Sequence, residues 1–486
     1  MSKPFPTLPT ILDPAFVAAL RQGQLTETEA AAFAAQDSGV IPFQMMQLNE
    51  VFREATALSK TGPHAPSGSV PPYEKPGPDS KKRLKKKGGK PGHPGSSRPP
   101  PEKIDQRVTH TLPACPDCGS ALKRTGRKRK RIIEDLPAAS GSEVTEHTIE
   151  RDWCPCCQKQ VEPKVPDAMP ACTLGNRTVA LASWLHYGLG TTTSQILAVF
   201  NRHLWMKLSE GGLTKIWHRL AGVLRPWADA IRERCLNAGV LHADETGWRT
   251  NGETWWLWCF TTPDDTYYQL HKKRGHEALD EFFTREFDGI LVTDFWKAYD
   301  KITTRQQKCW PHLLRDLKAV DERHETERDR DWPDFAGKLR RIYGDAIRLD
   351  LARDEIDDER FTRRLDKLHG RMGALAHRDW SNPHAKRLAK RLDTYGEPLL
   401  TFVEQANVPS SNNHGEREIR PAVLMRKMSY GSQSIKGAET RATLMTVFRT
   451  LHRRGLDPLK TVEQALRTYA ETGTLPPMPE KCGSGE

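Results

Sequence analysis

Three acidic residues stand in contexts that suit metal chemistry: Asp244 in HADETGW, Asp294 in VTDFWKAY and Glu416 in NNHGEREIRP. The first two follow runs typical of buried strands, and the third begins a helix-like segment. Carboxylates held close together repel one another, and a divalent cation relieves this repulsion. Magnesium suits such a site because it prefers oxygen ligands and keeps water molecules that can face a phosphate. The three acids are therefore candidate metal ligands.

Each acid also has a competitor or an ordinary structural role. Glu245 adjoins Asp244, but side chains alternate along a strand, so only one of the two can point at a metal. Asp244 also suits a turn, and Asp300 is an alternative to Asp294. Glu416 would lie in the first turn of its helix, where the helix dipole favours an acid. Only the three acids together, in the expected fold order, favour a catalytic site.

The elements around the first two acids follow the order of three strands, a helix and a further strand. VLHADETGW, TWWLWCFTT and TYYQLHKKR are rich in Trp, Tyr, Val and Thr and are separated by polar turns, as in an antiparallel meander. GHEALDEFFTREF then predicts a helix, and DGILVTD predicts a buried strand. This order resembles the α/β ribonuclease H-like fold, in which the first strand lies beside the fourth. Asp244 and Asp294 would then meet at the centre of the sheet.

The helix that carries Glu416 also carries cations. Those that could contact DNA phosphates are Arg417, Arg420, Arg426 and Lys427. His242 and His414 are expected to be structural or adjacent to DNA rather than metal ligands.

The positive charge of the chain is confined to one segment. The 486 residues carry a net charge of +12, but the segment from Lys81 to Arg131 holds 17 Lys or Arg and three acids, so it carries +14 and the rest carries −2. This layout is typical of a polyanion-binding module joined to a near-neutral body, although a solvated basic linker is the alternative. The candidate DNA contacts are Lys81, Lys82, Arg83, Lys85, Lys86, Lys87, Lys90, Arg127, Lys128, Arg129, Lys130 and Arg131.

Two CxxC pairs predict a zinc site. Cys115 and Cys118 form one pair and Cys154 and Cys157 the other, so that four thiolates can surround one structural zinc ion. The 35 residues between the pairs exceed the usual spacing, so we expect a β-rich finger with strands in RKRIIEDLP and EVTEHTIERDW. Cys156 is a spare thiol. Free thiols and disulfides are the alternatives, and a cytoplasmic setting disfavours disulfides.

The chain is expected to be an α/β multidomain protein, because 486 residues exceed one ordinary core. It lacks a run of 18 apolar residues and a secretory signal, so we expect a cytoplasmic protein without a membrane partner. The expected regions are a helical region at 1–61, a disordered basic Pro/Gly-rich linker at 62–101, the zinc finger at 102–170, helices at 171–238, a catalytic domain at 239–436 with a helical insertion at about 322–405, and C-terminal helices at 437–486. The helices at 171–238 suit either a helix-turn-helix that binds DNA or a bundle that packs on the next domain.

Several blocks together resemble the transposases of insertion sequence family sixty-six. They are HADETGW, VTDFWKAY, CWPHLLRDL, SNNHGEREIRP and GAETRATLMTVFRTLHRRGLDP, preceded by GGKPGHPGSSR and the two CxxC pairs. In that family the catalytic acids are Asp, Asp and Glu, which implies that Asp244, Asp294 and Glu416 bind two magnesium or manganese ions. One ion would activate water or a DNA 3′-hydroxyl, and the other would stabilise the leaving oxygen.

The resemblance implies a DNA transposase that cleaves insertion-sequence ends and transfers them to target DNA. It also implies a bacterial protein associated with the nucleoid. Its partners would be double-stranded DNA, both terminal inverted repeats and target, a second or further copy of the chain on DNA, and accessory proteins of the same element. The alternatives are a non-catalytic DNA-binding accessory or silencing protein and a ribonuclease H-type nuclease without strand transfer.

One block is similar to a CxxH element of related transposase groups, which implies that His312, three residues after Cys309, contacts DNA or orders the site. The chain departs from the family pattern in two places. The 121 residues between Asp294 and Glu416 exceed a compact core, and the excess predicts the helical insertion. Ser411 stands where the family usually has Asp before the paired asparagines.

Overall fold

The computed structural model describes residues 141–150, 152–161, 163–322 and 330–481. Predictions that fall elsewhere lie outside these residues: the helical region at 1–61, the linker at 62–101, the basic candidates between Lys81 and Arg131, and the first cysteine pair, Cys115 and Cys118. No helix in the described part of the chain is long and apolar enough to cross a membrane.

A short hairpin comes first in the described part of the chain. β1 (Asp152–Cys154) pairs antiparallel with β2 (Lys159–Val161). The strand predicted over EVTEHTIERDW is wrong for residues 143–150, which are exposed and form no strand. Their β-branched residues find no packed face on which to be buried, and pairing starts only at Asp152.

Helices were predicted for residues 171–238, and helices are present there. They are α1 (Asn176–Ser183), which continues into a π-helical turn at Trp184–Gly188, α2 (Thr193–His203) and α3 (Glu210–Leu236). The start of α2 follows from its sequence. The side chain of Thr192 accepts from the backbone N–H of Gln195, and the Gln195 side chain accepts from the backbone N–H of Thr192, which completes a capping box.

A five-stranded mixed sheet follows, with one helix before its fourth strand. Its elements are β3 (Val240–Thr250), β4 (Glu253–Thr261), β5 (Thr266–His271), α4 (His276–Phe282), β6 (Ile290–Thr293) and β7 (Gln306–Lys308). The strands lie in the order β5-β4-β3-β6-β7. β3, β4 and β5 are antiparallel neighbours, whereas β6 runs parallel to β3 and to β7.

The turn between β3 and β4 sets the pairing of the meander. Thr250 pairs with Glu253, and the two residues between them, Asn251 and Gly252, have positive φ angles of 50° and 79°. These angles suit the two-residue hairpin turn that Asn-Gly favours. The polar turn predicted between the first two strands of the meander, at residues 250–253, is therefore confirmed.

The described residues that follow β7 are mostly helical. Its helices are α5 (Trp310–Asp321), α6 (Asp331–Leu351), α7 (Asp358–His377), α8 (Pro383–Glu404), α9 (Asn413–Ser429), α10 (Ile435–Arg453) and α11 (Pro458–Thr472). The helices expected in the insertion, about 322–405, are thus present as α6, α7 and α8.

Two hydrophobic clusters fill the described structure. The first joins the sheet to α1–α4 and α9–α11, and the second joins α5–α8 to Val292 of β6. α10 packs along both α3 and β5. The helices before and after the sheet therefore share its core, and within the described residues nothing identifies 171–238 as a helix-turn-helix. The described chain is a mixed α/β structure whose insertion shares the second cluster with α5 and β6.

Candidate functional site

Asp244 and Asp294 occupy matching positions on two neighbouring parallel strands. β3 and β6 pair with Val240 opposite Ile290 and His242 opposite Val292. The same register places Asp244 beside Asp294, which directly follows the last residue of β6. Neighbouring strands lie about 4.8 Å apart, and matched side chains point to the same face. Both acids are half-buried at the carboxyl ends of the two central strands.

α9 brings the third acid, Glu416, to the same end of the sheet. Its start is fixed by the buried Asn412, whose Nδ2 donates to the Ala243 carbonyl at 2.8 Å and whose Oδ1 lies 2.9 Å from Nδ1 of His242. Since the amide nitrogen donates to a carbonyl, Oδ1 is the acceptor and His242 the donor. Burial lowers the pKa of His242 to about 4, so its ring is neutral. Asn412 thus ties the start of α9 to the residue before Asp244.

The acids at this end of the sheet act on one another. Burial raises the pKa of Asp244 well above its ordinary value, and the charges of Glu245, Asp294 and Glu416 raise it further. Within the described ranges, no Lys, Arg or His lies at ion-pair distance from Asp244 or Asp294. A divalent cation would supply the missing positive charge, and carboxylate oxygens fit magnesium or manganese.

Glu245 has partners of its own. Arg274 Nε donates to its Oε1 at 2.9 Å, and the Tyr299 hydroxyl donates to its Oε2 at 2.6 Å. Burial and the charge of Asp294 raise the pKa of Glu245 to about 7, against the opposing effect of Arg274. The Arg274 guanidinium lies 4.0 Å from the centroid of the Trp296 ring. These contacts give Glu245 a structural role, because both of its carboxylate oxygens have protein partners.

Asp300, the alternative to Asp294, is also engaged elsewhere. The Tyr395 hydroxyl donates to its Oδ2 at 2.6 Å, and Lys308 Nζ lies 3.5 Å from its Oδ1. Lys308 is buried, and its Nζ also donates to Thr293 Oγ1 at 3.1 Å. Burial lowers the pKa of Lys308, and the charges of Asp300 and Asp294 oppose this effect. Sequence reasoning missed Lys308. The feature that could have identified it is its position directly before the CWPH block.

The CxxH block lies beside Glu416. Cys309 is buried at the start of α5, and its Sγ, a ring nitrogen of His312 and a carboxylate oxygen of Glu416 lie within 4.8 Å of one another. Arg315, which sequence reasoning also missed, donates to Glu416 Oε1 at 3.0 Å. Of the two roles implied for His312, its position is consistent with ordering the site.

The cations of α9 differ in their surroundings. Arg417, Arg420 and Lys427 are exposed, whereas Arg426 is half-buried and donates to the Gly247 carbonyl at 2.5 Å. Burial lowers the pKa of Arg426. Arg426 therefore has a structural contact with β3. Phosphate contacts by Arg417, Arg420 and Lys427 remain predictions.

His414, expected to be structural or adjacent to DNA, makes hydrogen bonds within the sheet domain. Its Nε2 lies 2.8 Å from the Thr262 carbonyl and 3.2 Å from Thr261 Oγ1. Protein groups thus hold both histidines near the acids. Thr261 and Thr262 hold His414, and Asn412 holds His242.

The second cysteine pair lies in the first hairpin. The Cys157 backbone N–H donates to Cys154 Sγ at 3.4 Å, and this hydrogen bond, with others from Cys157 and Cys156, lowers the pKa of the Cys154 thiol. A backbone donor to a thiolate suits a metal-binding turn. The zinc finger remains a prediction, because its other two cysteines lie outside the described residues.

Comparison with known proteins identifies a family for the segment that contains the three acids. A model of the transposase IS66 family matches residues 171–440, which contain all three. The uncharacterized protein y4qI of Sinorhizobium fredii strain NGR234 is 26% identical over 279 residues, 51% of each chain. The uncharacterized protein y4hP of the same strain is 21% identical over 416 residues, 77% of this chain and 74% of that protein. The chain thus spans about half the length of the first relative and three quarters of the second.

Proposed function

Because the chain belongs to the transposase IS66 family, we propose that it is a DNA transposase that cuts the ends of an insertion sequence and joins them to target DNA. The observation that carries the proposal is the convergence of three acids. Asp244 and Asp294 are in register on parallel strands, and Glu416 lies close enough to influence the charge of Asp244. In the proposed site these carboxylates hold two magnesium or manganese ions.

The strand order supports the assignment of the sheet to the ribonuclease H-like fold. Three antiparallel strands are followed by two strands parallel to the first, in the order β5-β4-β3-β6-β7. The first strand therefore lies beside the fourth, as the fold requires. Glu416 then comes from a helix beyond an insertion of about 80 residues, which adds α6–α8 without separating the three acids.

When bound, the divalent ions would supply an activated nucleophile at neutral pH and stabilise the leaving oxygen. The chain's own residues provide the positioning. Asp294 Oδ1 accepts from the Trp296 backbone N–H at 2.8 Å, and Asp244 Oδ1 accepts from the Glu245 backbone N–H at 2.9 Å. These bonds orient one oxygen of each carboxylate, and Asn412 fixes the helix that carries Glu416.

DNA binding is assigned to other parts of the chain. The basic segment from Lys81 to Arg131, the zinc finger with its structural zinc, and the exposed Arg417, Arg420 and Lys427 would contact phosphates of the element ends and the target. Two ends must be joined in one complex, so at least two copies of the chain are proposed to act together on DNA. Accessory proteins of the same element remain possible partners.

The test is an assay of cleavage and joining with the full-length chain. The substrate is DNA carrying the sequences that flank the chain's own coding region, together with a supercoiled target plasmid. With Mg²⁺ we expect cuts at defined ends and joined products, and with EDTA neither. Cutting without joining would instead indicate a nuclease. Sequence-specific binding without cutting in Mg²⁺ or Mn²⁺ would overturn the proposal in favour of the non-catalytic DNA-binding alternative.

A further inference from the structure

Cys309, His312 and Glu416 bring three different kinds of metal-binding atom together. A sulfur, a ring nitrogen and a carboxylate oxygen lie within 4.8 Å of one another. Magnesium prefers oxygen ligands, whereas mixed sulfur, nitrogen and oxygen donors favour zinc and similar transition metals. This set therefore differs in metal preference from the pair Asp244 and Asp294.

The two helix starts that carry these donors are joined to each other. Cys309 caps α5, and His312 lies in the first turn of that helix. The backbone N–H of Asn412, which precedes α9, donates to Cys309 Sγ at 3.1 Å. Glu416 lies one turn further along α9, where its backbone N–H donates to the Asn412 carbonyl at 3.0 Å. The protein thus holds the donors near one another through its own hydrogen bonds.

One of these donor atoms lacks a protein partner. Nδ1 of His312 is shielded from solvent and has no hydrogen-bond partner among the residues that the structure describes. It lies 3.6 Å from Glu416 Oε1, which is too long for a hydrogen bond. An unpaired buried polar atom costs about 1–3 kcal/mol. A metal ion between the imidazole and the carboxylate would remove this cost.

Arg315 is the cation that would compete with such a metal. One of its guanidinium nitrogens donates to Glu416 Oε1 at 3.0 Å and lies 3.2 Å from His312 Nε2. With Nε2 as an acceptor, a neutral ring carries its proton on Nδ1, whereas a metal on Nδ1 requires the other tautomer. The Arg315 side chain is 46% exposed, so it can turn toward water when a metal takes its place.

We propose that Cys309, His312 and Glu416 form a binding site for one Zn²⁺ ion, with Arg315 as its competitor. Three protein ligands leave the fourth tetrahedral position of zinc to water. The inference of a zinc site depends only on the placement of these donors. The effect of zinc on activity depends also on the proposed function: zinc held here withdraws Glu416 from the magnesium-binding acids and so opposes Mg²⁺-dependent cutting.

Calorimetric titration of the full-length chain with ZnCl₂ tests the site. The titration starts from the metal-free protein, in which the four thiolates of the cysteine-rich finger take up the first equivalent. We expect wild type to bind one further equivalent. His312→Gln and Cys309→Ser should each weaken this step by about tenfold or more, since even residues that support a metal ligand are worth about 10–100-fold. Arg315→Gln keeps all three donors and should bind zinc more tightly.

His377→Gln is the matched control. His377 lies on α7 and makes a 2.9 Å contact with Asp393, so this change removes another imidazole–carboxylate contact. Its titration should equal that of wild type. The site is overturned if wild type binds no further zinc, or if His312→Gln binds with wild-type affinity. Should Cys309→Ser or His312→Gln fail to fold, unchanged affinity in Arg315→Gln would overturn it. No DNA enters the titration, so its failure and a failure of transposase activity are distinguishable.

Discussion

Asp244 is the residue at which burial and charge conflict most directly. Its pKa is raised well above the ordinary value by burial and by three neighbouring acids. An acid with a raised pKa in the folded state binds its proton more tightly there than in the unfolded chain. Its ionised form therefore destabilises the metal-free fold, and this cost grows as pH rises from the ordinary value of 3.8 through the folded pKa.

Asp244→Asn should consequently stabilise the metal-free protein at pH 7.5. We expect the unfolding midpoint in EDTA to rise by about 1 °C for each 1 kcal/mol of repulsion relieved, because the unfolding entropy grows with chain length. Mg²⁺ should raise the midpoint of wild type but not that of the variant, because the ion no longer finds its ligand. Differential scanning fluorimetry with and without Mg²⁺ measures both effects. A variant less stable than wild type in EDTA would contradict this description of the acids.

Residue types and strand alternation predicted a set of candidate acids, whose role as metal ligands stays a prediction, but not what surrounds them. Glu245 follows Asp244 in β3, and alternation along the strand was enough to favour only one of the two. Lys308 and Arg315 approach the acids through tertiary packing of β7 and α5. No local pattern in the sequence records that packing, so sequence reasoning missed both.

At the scale of elements, Asn412 is the residue that attaches α9 to the sheet. Its side chain is buried and bonds both His242 and the carbonyl of Ala243. We expect Asn412→Ala to lower the free energy of unfolding by about 2–3 kcal/mol, because these partners are left unpaired. The variant should also bind Mg²⁺ more weakly, since Glu416 is no longer held in place.

Urea denaturation and Mg²⁺ calorimetry measure the two effects. Asn413→Ala is the control, because Asn413 is the exposed first residue of α9. It should leave both quantities near wild type. Equal Mg²⁺ affinity in Asn412→Ala and wild type would mean that Asn412 supports the fold and not the site.

The insertion contains a pH-sensitive contact. His369 of α7 lies 2.9 Å from Glu404 at the end of α8. The hydrogen bond to Glu404 raises the pKa of His369, and the same bond lowers the pKa of Glu404. A raised histidine pKa stabilises the fold below the ordinary value of 6.5, and this contribution is lost as pH rises through the folded pKa. The lowered pKa of Glu404 stabilises the fold at pH values above the ordinary glutamate pKa of 4.5.

His369→Gln should therefore destabilise the protein near pH 6 and have little effect near pH 9. The difference at pH 6 should be about 1 kcal/mol or less, because the pair is partly exposed. Thermal unfolding across this pH range provides the measurement. A difference between wild type and variant that is equal at both pH values would assign the effect to packing instead of charge.

Elements were predictable where their signals are local. Capping at Thr192, the Asn251-Gly252 turn and the order of strands around Asp244 all follow from short patterns. The packing of α3 against α10 joins residues such as His218 and Thr440, which lie 222 positions apart, so sequence patterns left the role of those helices open. The strand expected at 143–150 was wrong because β-branched residues alone do not supply a packing partner.

At the scale of the whole molecule, DNA binding and catalysis are assigned to different parts of the chain. Replacing Lys85, Lys86 and Lys87 by Gln removes three charges from the basic segment. The slope of log affinity against log salt should become shallower by about 0.9 for each lysine that contacts a phosphate. Fluorescence anisotropy between 50 and 300 mM NaCl, roughly the range over which such contacts weaken, measures the slope. An unchanged slope would mean that this segment is a solvated linker.

The most direct test of the metal site compares neighbouring acids in one cleavage assay with Mg²⁺ and end-bearing DNA. Asp244→Asn is paired with Glu245→Gln, Asp294→Asn is paired with Asp300→Asn, and Glu416→Gln is measured alongside. At matched DNA binding, we expect the Asp244, Asp294 and Glu416 variants to cut about 10²–10³-fold more slowly than wild type, whereas the two neighbour variants cut at nearly the wild-type rate. Wild-type cleavage by any one of the first three, or loss of cleavage only in the neighbour variants, would contradict the account.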